Sequence, residues 1–448
     1  MVKNKEVLTK IIEWFIVLQP VIDFLTSLSV RFSDSSLTFG IVVRVLFTGL
    51  ICFYLVFLYK GRMKKAMIGY LLAVIAYGII FIGINIWTGG LWTVVENAKM
   101  FFKIFYFLFV LFFFYARYLE NGHLIGDKLL VVIFAEYAVS IFVSAVTNTS
   151  FVAYEFAEGY VGWFYAANEI GAVIAILAPV ALLFAFETKK LWIKIAVGFL
   201  ACFAAVYIGT KVPFYAVIGA ILMLIVFYVF KTVSTKKGME TLAQGVAMVV
   251  MLTLLYQINS PMKQNSAVFS GEHFESHVIE KLEPEDPDDP GTEEPSDITE
   301  SKFFLVANWF LSDRLYYAEN AIVAYGEADL LHKAVGLGHH FQLKDGRTLI
   351  EMDFLALVIN HGIVGFLLYM LPIIYFAILC ISMLFKNIKY FFKMRYELTY
   401  TYAVLIGMGC AFLAGHVLVA PAVSVYVAIM IIKLYASFKA EKFKEVTE

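Results

Sequence analysis

Residues 354–384 read FLALVINHGIVGFLLYMLPIIYFAILCISML, a stretch without a single Asp, Glu, Lys or Arg. A helix of about 20 apolar residues is long enough to cross the hydrocarbon core of a bilayer. This stretch is longer than one straight crossing requires, and Gly362 and Gly365 interrupt it. We therefore expect a short re-entrant or surface segment, followed by a helix that crosses the membrane.

The same apolar character continues along nearly all of the 448 residues. Apolar residues make up 61% of the chain and charged residues only 16%, whereas soluble domains have about 45–50% and about 25%. The four cysteines lie inside apolar runs without a Cys-x-x-Cys spacing, so we interpret them as small membrane-core residues. This composition excludes a soluble enzyme, a nucleic-acid-binding protein and a disulfide scaffold. The net charge of −1 indicates no globally charged partner.

Twelve apolar runs are candidates for membrane spans. They occupy residues 11–30, 38–59, 66–87, 99–117, 128–148, 167–186, 191–209, 212–231, 240–257, 354–384, 399–417 and 419–438. The sequence thus predicts an all-α polytopic membrane protein with about twelve transmembrane helices. Nine lie in residues 1–257 and three in residues 354–438. A large loop, residues 258–353, separates the ninth span from the tenth, and residues 439–448 form a tail.

Loop charges predict the orientation. Lysines and arginines concentrate in alternate loops, which all fall on one side of the membrane if there are twelve spans. Positive loops stay in the cytoplasm. We therefore expect cytoplasmic termini and an extracytoplasmic loop at residues 258–353.

The large loop has two different halves. Residues 280–300 are acidic and contain several prolines, and such a tract buries too little apolar surface to fold, so we interpret it as a disordered spacer. The alternative is a tract that binds cations through its carboxylates. In the second half, Ser312 precedes an amphipathic stretch from Arg314 that predicts a capped helix. The segment Gly336–His340 then predicts a turn-rich strand or loop.

Ionisable side chains at membrane depth are expensive and commonly functional. Most of them lie toward the predicted outer side here, and only Glu136 lies near mid-depth. Four basic side chains share the outer level: Arg44, Lys99, Lys103 and Lys211. A coupled transporter would place charges near the midplane, whereas the outer level suits a lipid-linked substrate with phosphates there. The alternative is that each lysine reaches a lipid phosphate. The phenylalanine-rich span 99–117 either lines a groove for an isoprenoid tail or faces lipid.

Four stretches carry a resemblance to a known family. They are Gly162-Trp-Phe-Tyr-Ala-Ala-Asn168-Glu-Ile-Gly171, Gly209-Thr-Lys211-Val-Pro-Phe, Leu311-Ser-Asp-Arg314 with Gly336-Leu-Gly338, and Glu351-Met-Asp353 through Gly365. Their order and sidedness resemble the O-antigen ligase and O-antigen polymerase superfamily of bacterial surface-polysaccharide enzymes. Lys211 replaces the arginine usual in that family. Glu351 stands where its ligases carry a histidine, which favours a polymerase.

The resemblance implies glycosyl transfer from a polyprenyl-pyrophosphate donor to a sugar hydroxyl at the outer face of the bacterial cytoplasmic membrane. The departing pyrophosphate needs cationic groups, and the hydroxyl needs a general base. The candidates for the cationic role are Arg44, Lys103, Lys211, Arg314 and Arg347. The candidates for the base are His339, His340, Glu351 and Asp353. Expected partners are the lipid-linked oligosaccharide, membrane lipids, a flippase and a chain-length regulator.

Several alternatives remain open at this point. One alternative is that Arg314 simply pairs with Glu319 or Asp313 on its own helix. Another is that His339 and His340 are ordinary exposed loop residues. A metal site of His332, His339 and His340 has no compact ligand spacing, so we favour chemistry without a metal or cofactor. For the function, we expect a polymerase of lipid-linked repeat units. The rivals are a ligase that attaches finished polymer to another acceptor and a flippase of lipid-linked oligosaccharide.

Overall fold

The computed structural model describes residues 2–32, 37–122, 124–152, 159–232, 236–258, 260–268, 314–341, 350–388 and 394–440. Its α-helices are α1 (Val2–Val17), α2 (Gln19–Phe32), α3 (Phe39–Phe53), α4 (Lys64–Gly89), α5 (Val94–Asn121), α6 (Asp127–Val146), α7 (Ala167–Glu187), α8 (Leu191–Tyr207), α9 (Lys211–Thr232), α10 (Lys236–Gln257), α11 (Pro261–Val268), α12 (Arg314–Glu327), α13 (Leu330–Val335), α14 (Asp353–Lys386), α15 (Arg395–Leu413) and α16 (Pro421–Lys439). A π-helical turn, Tyr54–Leu58, extends α3, and a 3₁₀ turn, Leu91–Thr93, precedes α5. The predicted all-α polytopic membrane class is confirmed.

Within the described residues, nine helices are long and apolar enough to cross a membrane. The number rises to ten if α1 and α2, which are bent by 57° at their junction, count as one broken span. Each of the twelve predicted runs coincides with a helix or with this bent pair. However, α8 has only 17 residues, and α15 begins with a charged, tyrosine-rich turn. The count of twelve spans therefore stays a prediction.

The centre of the bundle is formed by α7 and α16, which are buried along almost their whole length. α7 packs against α6, α8, α9 and α15, and α16 packs against α5, α14 and α15. The α7 sequence is rich in alanine, with Gly171 near its start. Small side chains let helices approach closely, which is how helices associate where lipid supplies no hydrophobic driving force.

The phenylalanine-rich span lies in α5. Every residue from Ile104 to Ala116 is buried by other parts of the protein. This part of α5 is therefore packing core and does not face lipid, whereas Phe102, which precedes it, is half-buried and lines a cavity. The isoprenoid groove along this span stays a prediction.

The predicted interruption of residues 354–384 is confirmed as a kink in α14 at Gly362, where φ is 61° and ψ is −178°. The kink leaves carbonyl groups before it available, and the backbone N–H groups of Leu337 and Gly338 donate to the carbonyls of Ile359 (2.9 Å) and Asn360 (3.2 Å). Buried backbone groups need such partners. The loop after α13 is thereby docked into the broken helix.

This docking depends on glycine. A Cβ added at Gly336 would overlap the carbonyl of Asn360, and a Cβ added at Gly362 would overlap the carbonyl of Ala334. Both glycines also have positive φ, 104° and 61°, a region that other residues rarely adopt. The two backbones can therefore meet only because neither carries a side chain there.

One end of the bundle carries the described part of the predicted large loop. α12 and α13 pack there on α14, so we call it the loop end. α5, α7, α9, α14 and α16 all begin at this end, and helix N-termini carry partial positive charge. The predicted helix from Arg314 is confirmed as α12. Ser312, Arg347 and the acidic tract at 280–300 lie outside the described residues.

Candidate functional site

Three of the predicted site residues meet at the loop end. Arg314 begins α12, and its Nε lies 2.7 Å from Oε2 of Glu351, just before α14. Lys211 begins α9 and is near enough to Arg314 for their positive charges to repel each other. We call these three residues the Arg314 cluster. It holds two cations and one carboxylate, so its surplus charge favours an anion.

Asp353 has a different position from Glu351, although only one residue separates them. Its carboxylate accepts hydrogen bonds from the backbone N–H groups of His416 (2.7 Å), Val417 (2.8 Å) and Leu418 (2.6 Å). The Asp353 side chain is almost fully buried. Asp353 therefore anchors the loop before α16 to the start of α14, and these three bonds occupy both of its oxygens.

The backbone is strained on both sides of this anchor. Met352 has a φ of 109° and His416 a φ of 60°, which costs of the order of 1–3 kcal/mol at each residue and persists only where the surroundings enforce it. A Cβ added at Gly415 would lie only 2.8 Å from the backbone nitrogen of Met352. The close packing of these two segments thus holds the sharp corner that directs Glu351 toward Arg314.

Arg44 and Lys103, two further predicted residues, line a separate cavity of about 230 Å³ at the loop end. Its other charged lining residues are Asp23, Lys99 and Glu169, and we call it the Lys103 cavity. None of the three residues of the Arg314 cluster lines this cavity. The predicted basic residues are therefore divided between two places.

The Lys103 cavity has a built wall. Arg44 pairs with Asp23 at 2.5 Å and donates to Oε1 of Gln19 at 3.0 Å. The hydroxyl of Tyr137 donates to the second oxygen of Asp23 at 2.5 Å. Arg44 and Asp23 are both buried, so their mutual pairing offsets the cost of burying each charge. Arg44 is thus mainly a wall residue, while Lys103 faces Glu169 across the cavity.

His339 lies in a third position, under the docked loop. Its backbone N–H donates to Oδ1 of Asn97 (2.8 Å), and its Nε2 lies 3.0 Å from Nε2 of His361. The hydroxyl of Tyr77 donates to the carbonyl oxygen of His361 at 2.7 Å. Burial lowers the pKa of His339 well below its ordinary value, and His361 and Lys103 lower it further. His339 is therefore a neutral imidazole near pH 7.

His340 and His332 are each held separately. Nδ1 of His340 lies 3.3 Å from Nδ2 of Asn97. Burial lowers the pKa of His340, with a smaller contribution from His332. His332 pairs with Asp329 at 2.9 Å on α13. In the part of the chain that the structure describes, no three His, Cys, Asp or Glu residues are grouped for metal binding.

Sequence reasoning missed several residues of these sites. Asn97, His361 and Tyr77 hold the docked loop. Asp23 and Glu169, which the sequence places at the outer membrane level without a role in the site, complete the Lys103 cavity. His361 carried a usable signal, because it is a single histidine beside a helix-breaking glycine within an apolar run. Asn97 and Tyr77 carried none, since their roles depend on partners far away in the sequence.

The family comparison agrees with these observations. The family model described as O-antigen ligase like membrane protein matches residues 5–441, which is nearly the whole chain. Among curated proteins, none matches this chain. The matched range includes the Arg314 cluster, the Lys103 cavity and the broken helix α14, and it confirms the resemblance found in the sequence. The chain belongs to the family of O-antigen ligase like membrane proteins.

Proposed function

We propose that this protein polymerises polyprenyl-pyrophosphate-linked oligosaccharide repeat units on the outer face of the bacterial cytoplasmic membrane. Its family makes it a membrane enzyme of polysaccharide assembly whose substrates are lipid-linked. The observation that carries the proposal is the Arg314 cluster, in which Arg314 pairs with the carboxylate of Glu351 and a second cation from another element, Lys211, lies near Arg314. A pyrophosphate between Lys211 and Arg314 would relieve their mutual repulsion.

The proposed reaction is a glycosyl transfer. The hydroxyl of the acceptor sugar attacks the anomeric carbon of the donor, and the bond from that carbon to the pyrophosphate oxygen breaks. Negative charge grows on the pyrophosphate during this step, so preorganised cations stabilise the transition state more than the ground state. The planar guanidinium of Arg314 suits two phosphate oxygens at once.

Glu351 is the proposed general base. Its side chain is 38% exposed, so an acceptor can approach it, whereas the oxygens of Asp353 are occupied by three backbone N–H groups. When pyrophosphate draws Arg314 toward itself, the carboxylate of Glu351 becomes available to accept the hydroxyl proton. We propose that no divalent metal or cofactor takes part, because Arg314 and Lys211 supply the positive charge.

The Lys103 cavity supports a polymerase over a ligase. In polymerisation the acceptor is itself lipid-linked and keeps its own pyrophosphate, so two phosphorylated lipids bind at once. The protein offers two basic sites at the loop end, the Arg314 cluster and the Lys103 cavity. We assign the departing pyrophosphate to the first and the retained pyrophosphate to the second. A flippase that delivers the units and a chain-length regulator are the expected protein partners.

The products of the purified protein test this proposal. In detergent with lipid-linked repeat units, we expect a ladder of products that differ by one unit, and none from an Arg314→Ala control. A single capped product on a different lipid acceptor would show a ligase instead. Unchanged glycans in detergent, together with transfer of lipid-linked units across a vesicle bilayer, would show a flippase.

A further inference from the structure

An apolar groove of about 290 Å³ lies between α9 and α10. Its lining residues are Phe214, Ile218, Ile221, Leu222, Val249, Leu252, Thr253 and Tyr256. The hydroxyl of Thr253 donates to the carbonyl of Val249 in its own helix, so the walls are almost entirely hydrocarbon and ring surface. Leu222 is 50% exposed, which leaves the groove open to the surrounding membrane.

The groove is closed at one end and meets a cation at the other. A Cβ added at Gly245 would overlap Ile225, so α9 and α10 touch at that level. Toward the loop end, the rings of Phe214 on α9 and Tyr256 on α10 stack with centroids 5.6 Å apart. Lys211 lies one helical turn beyond Phe214.

Lys211 also shares a helix face with the groove. Positions 211, 214, 218, 222 and 225 are spaced by three or four residues, which places them on one side of an α-helix. The distance from Lys211 to Leu222 along α9 is about 16 Å at 1.5 Å per residue. A chain whose head contacts Lys211 can therefore lie along the groove as far as Leu222.

We propose that this groove holds the isoprenoid chain of the donor whose pyrophosphate lies at Lys211 and Arg314. The proposal rests on the proposed function. Charge complementarity favours this occupant over a phospholipid, because the mouth of the groove adjoins two cations and a pyrophosphate carries more negative charge than a single phosphodiester. The open side allows the chain to enter from the bilayer without passing through water.

The groove acts by orienting the chain rather than by hydrophobic affinity. A chain that leaves lipid for an apolar groove gains little, because lipid tails are as apolar as the groove walls. A chain held along α9 instead fixes the pyrophosphate over Lys211, and correct placement of reacting groups lowers the barrier. Blocking the groove should therefore weaken the use of long-chain donors while short-chain donors are unaffected.

Two tryptophan variants test the depth of the groove. Two donors carry the same glycan pyrophosphate, one on undecaprenyl and one on geranyl, whose chain is too short to reach Leu222. We expect Leu222→Trp to lower kcat/KM about tenfold for the undecaprenyl donor alone, since a barrier higher by about 1.4 kcal/mol slows the reaction tenfold. Ile218→Trp, nearer to Lys211, should lower kcat/KM for both donors. The control is Leu405→Trp on α15, where the Leu405 side chain is 64% exposed, and this variant should leave the kinetics with both donors unchanged.

The response of the two donors to Leu222→Trp decides whether the groove takes part in substrate binding. Leu222→Trp affecting both donors equally, or neither, would remove the groove from substrate binding. A photoreactive residue in place of Thr253 gives a second readout, which should crosslink undecaprenyl pyrophosphate in competition with unlabelled compound but not with phosphatidylglycerol. Equal competition by phosphatidylglycerol would show an ordinary lipid groove. Selective crosslinking without any polymer product would support the groove and contradict the polymerase.

Discussion

Arg314 and Glu351 form an ion pair, with Nε of Arg314 2.7 Å from Oε2 of Glu351, across two separate elements of the loop end. The Glu351 side chain is 38% exposed, so water screens the pair. Exposed ion pairs contribute about 0–1 kcal/mol to stability. The pair is therefore weak as a support for the fold, and a large effect of its loss on activity would indicate a role in the reaction.

The first prediction concerns Arg314 and Lys211. Arg314→Ala should reduce the rate about 100- to 1000-fold, because losing one preorganised donor to a developing anion costs about 2.7–4 kcal/mol. Arg314→Lys should restore only part of the activity, since an ammonium lacks the guanidinium fork. Lys211→Arg should be tolerated, because the change keeps the cation. The measurement is initial polymerisation rate together with expression level and thermal stability.

The chain offers a matched control for Arg314→Ala. Arg395 pairs through its Nε with Glu187 at 2.6 Å, and this pair lies at the end of the bundle opposite to the loop end. Arg395→Ala removes a similar ion pair and should leave the polymerisation rate near that of the wild type. Polymer of wild-type length and amount from Arg314→Ala would contradict the proposal and reduce Arg314 to a surface pair.

Much of the fold was predictable because it depends on local chemistry. Apolar runs locate helices, and Gly362 marks the break in α14, because glycine adopts positive φ without a Cβ clash. The position of Lys211 close to Arg314 was predictable only through the resemblance to a family. Periodicity alone does not bring an external helix onto the start of α9.

The rest of the site depends on contacts between distant segments. Glu351 and Asp353 are both carboxylates at the start of α14, and nothing in their local sequence separates a half-exposed ion pair from an anchor with three backbone bonds. The packing of residues 416–418 against the start of α14 decides which of the two carboxylates becomes the anchor. In the same way, Arg44 was predicted to bind pyrophosphate, but its partner Asp23 on a neighbouring helix makes it part of a cavity wall.

The second prediction is that activity does not require a divalent metal. Arg314 and Lys211 supply the positive charge in the proposed site, so polymerisation by the purified protein should survive an excess of EDTA with less than twofold change. The test uses protein freed of metal by chelation and then assayed with and without added ions. Loss of activity in EDTA, reversed by magnesium, manganese or zinc, would contradict the cationic site.

The third prediction concerns the acidic tract. Its composition is typical of a disordered spacer, and a spacer contributes little to a preorganised site. Deleting residues 283–300 should therefore leave at least about half of the activity. The measurement is polymer yield per amount of protein in the membrane. Near-complete loss of polymer in a stably expressed deletion would show that the tract takes part in the reaction.

The fourth prediction is a pH dependence of stability that arises from His339. Burial lowers the pKa of His339 well below its ordinary value, while in the unfolded chain its pKa is about 6.5. The unfolded state alone binds a proton below that value, so stability is complete above about pH 6.5 and decreases as the pH falls. The decrease approaches about 1.4 kcal/mol per pH unit for one such group.

Thermal unfolding in detergent at several pH values measures this slope. His339→Gln should reduce this slope, since one proton-binding group is gone, and the remaining slope includes His340, whose pKa burial also lowers. His332→Gln is the control, because His332 pairs with Asp329 on the surface of α13 and not under the docked loop. An unchanged slope in His339→Gln would assign the pH dependence to other groups.

The last prediction separates Glu351 from Asp353. Glu351→Gln should lower kcat about 100-fold or more, the usual contribution of a general base, with an unchanged melting temperature. Asp353→Ala should lower the free energy of unfolding by about 4.5 kcal/mol or more, because hydrogen bonds to a charged group contribute about 1.5–3 kcal/mol each and three are lost. Asp353→Asn should lie between wild type and Asp353→Ala, since an amide keeps one acceptor oxygen. Both Asp353 variants should keep substantial kcat per folded molecule below their melting temperatures. If Asp353→Asn instead abolished turnover without loss of stability, Asp353 would be the base and the anchor would be incidental.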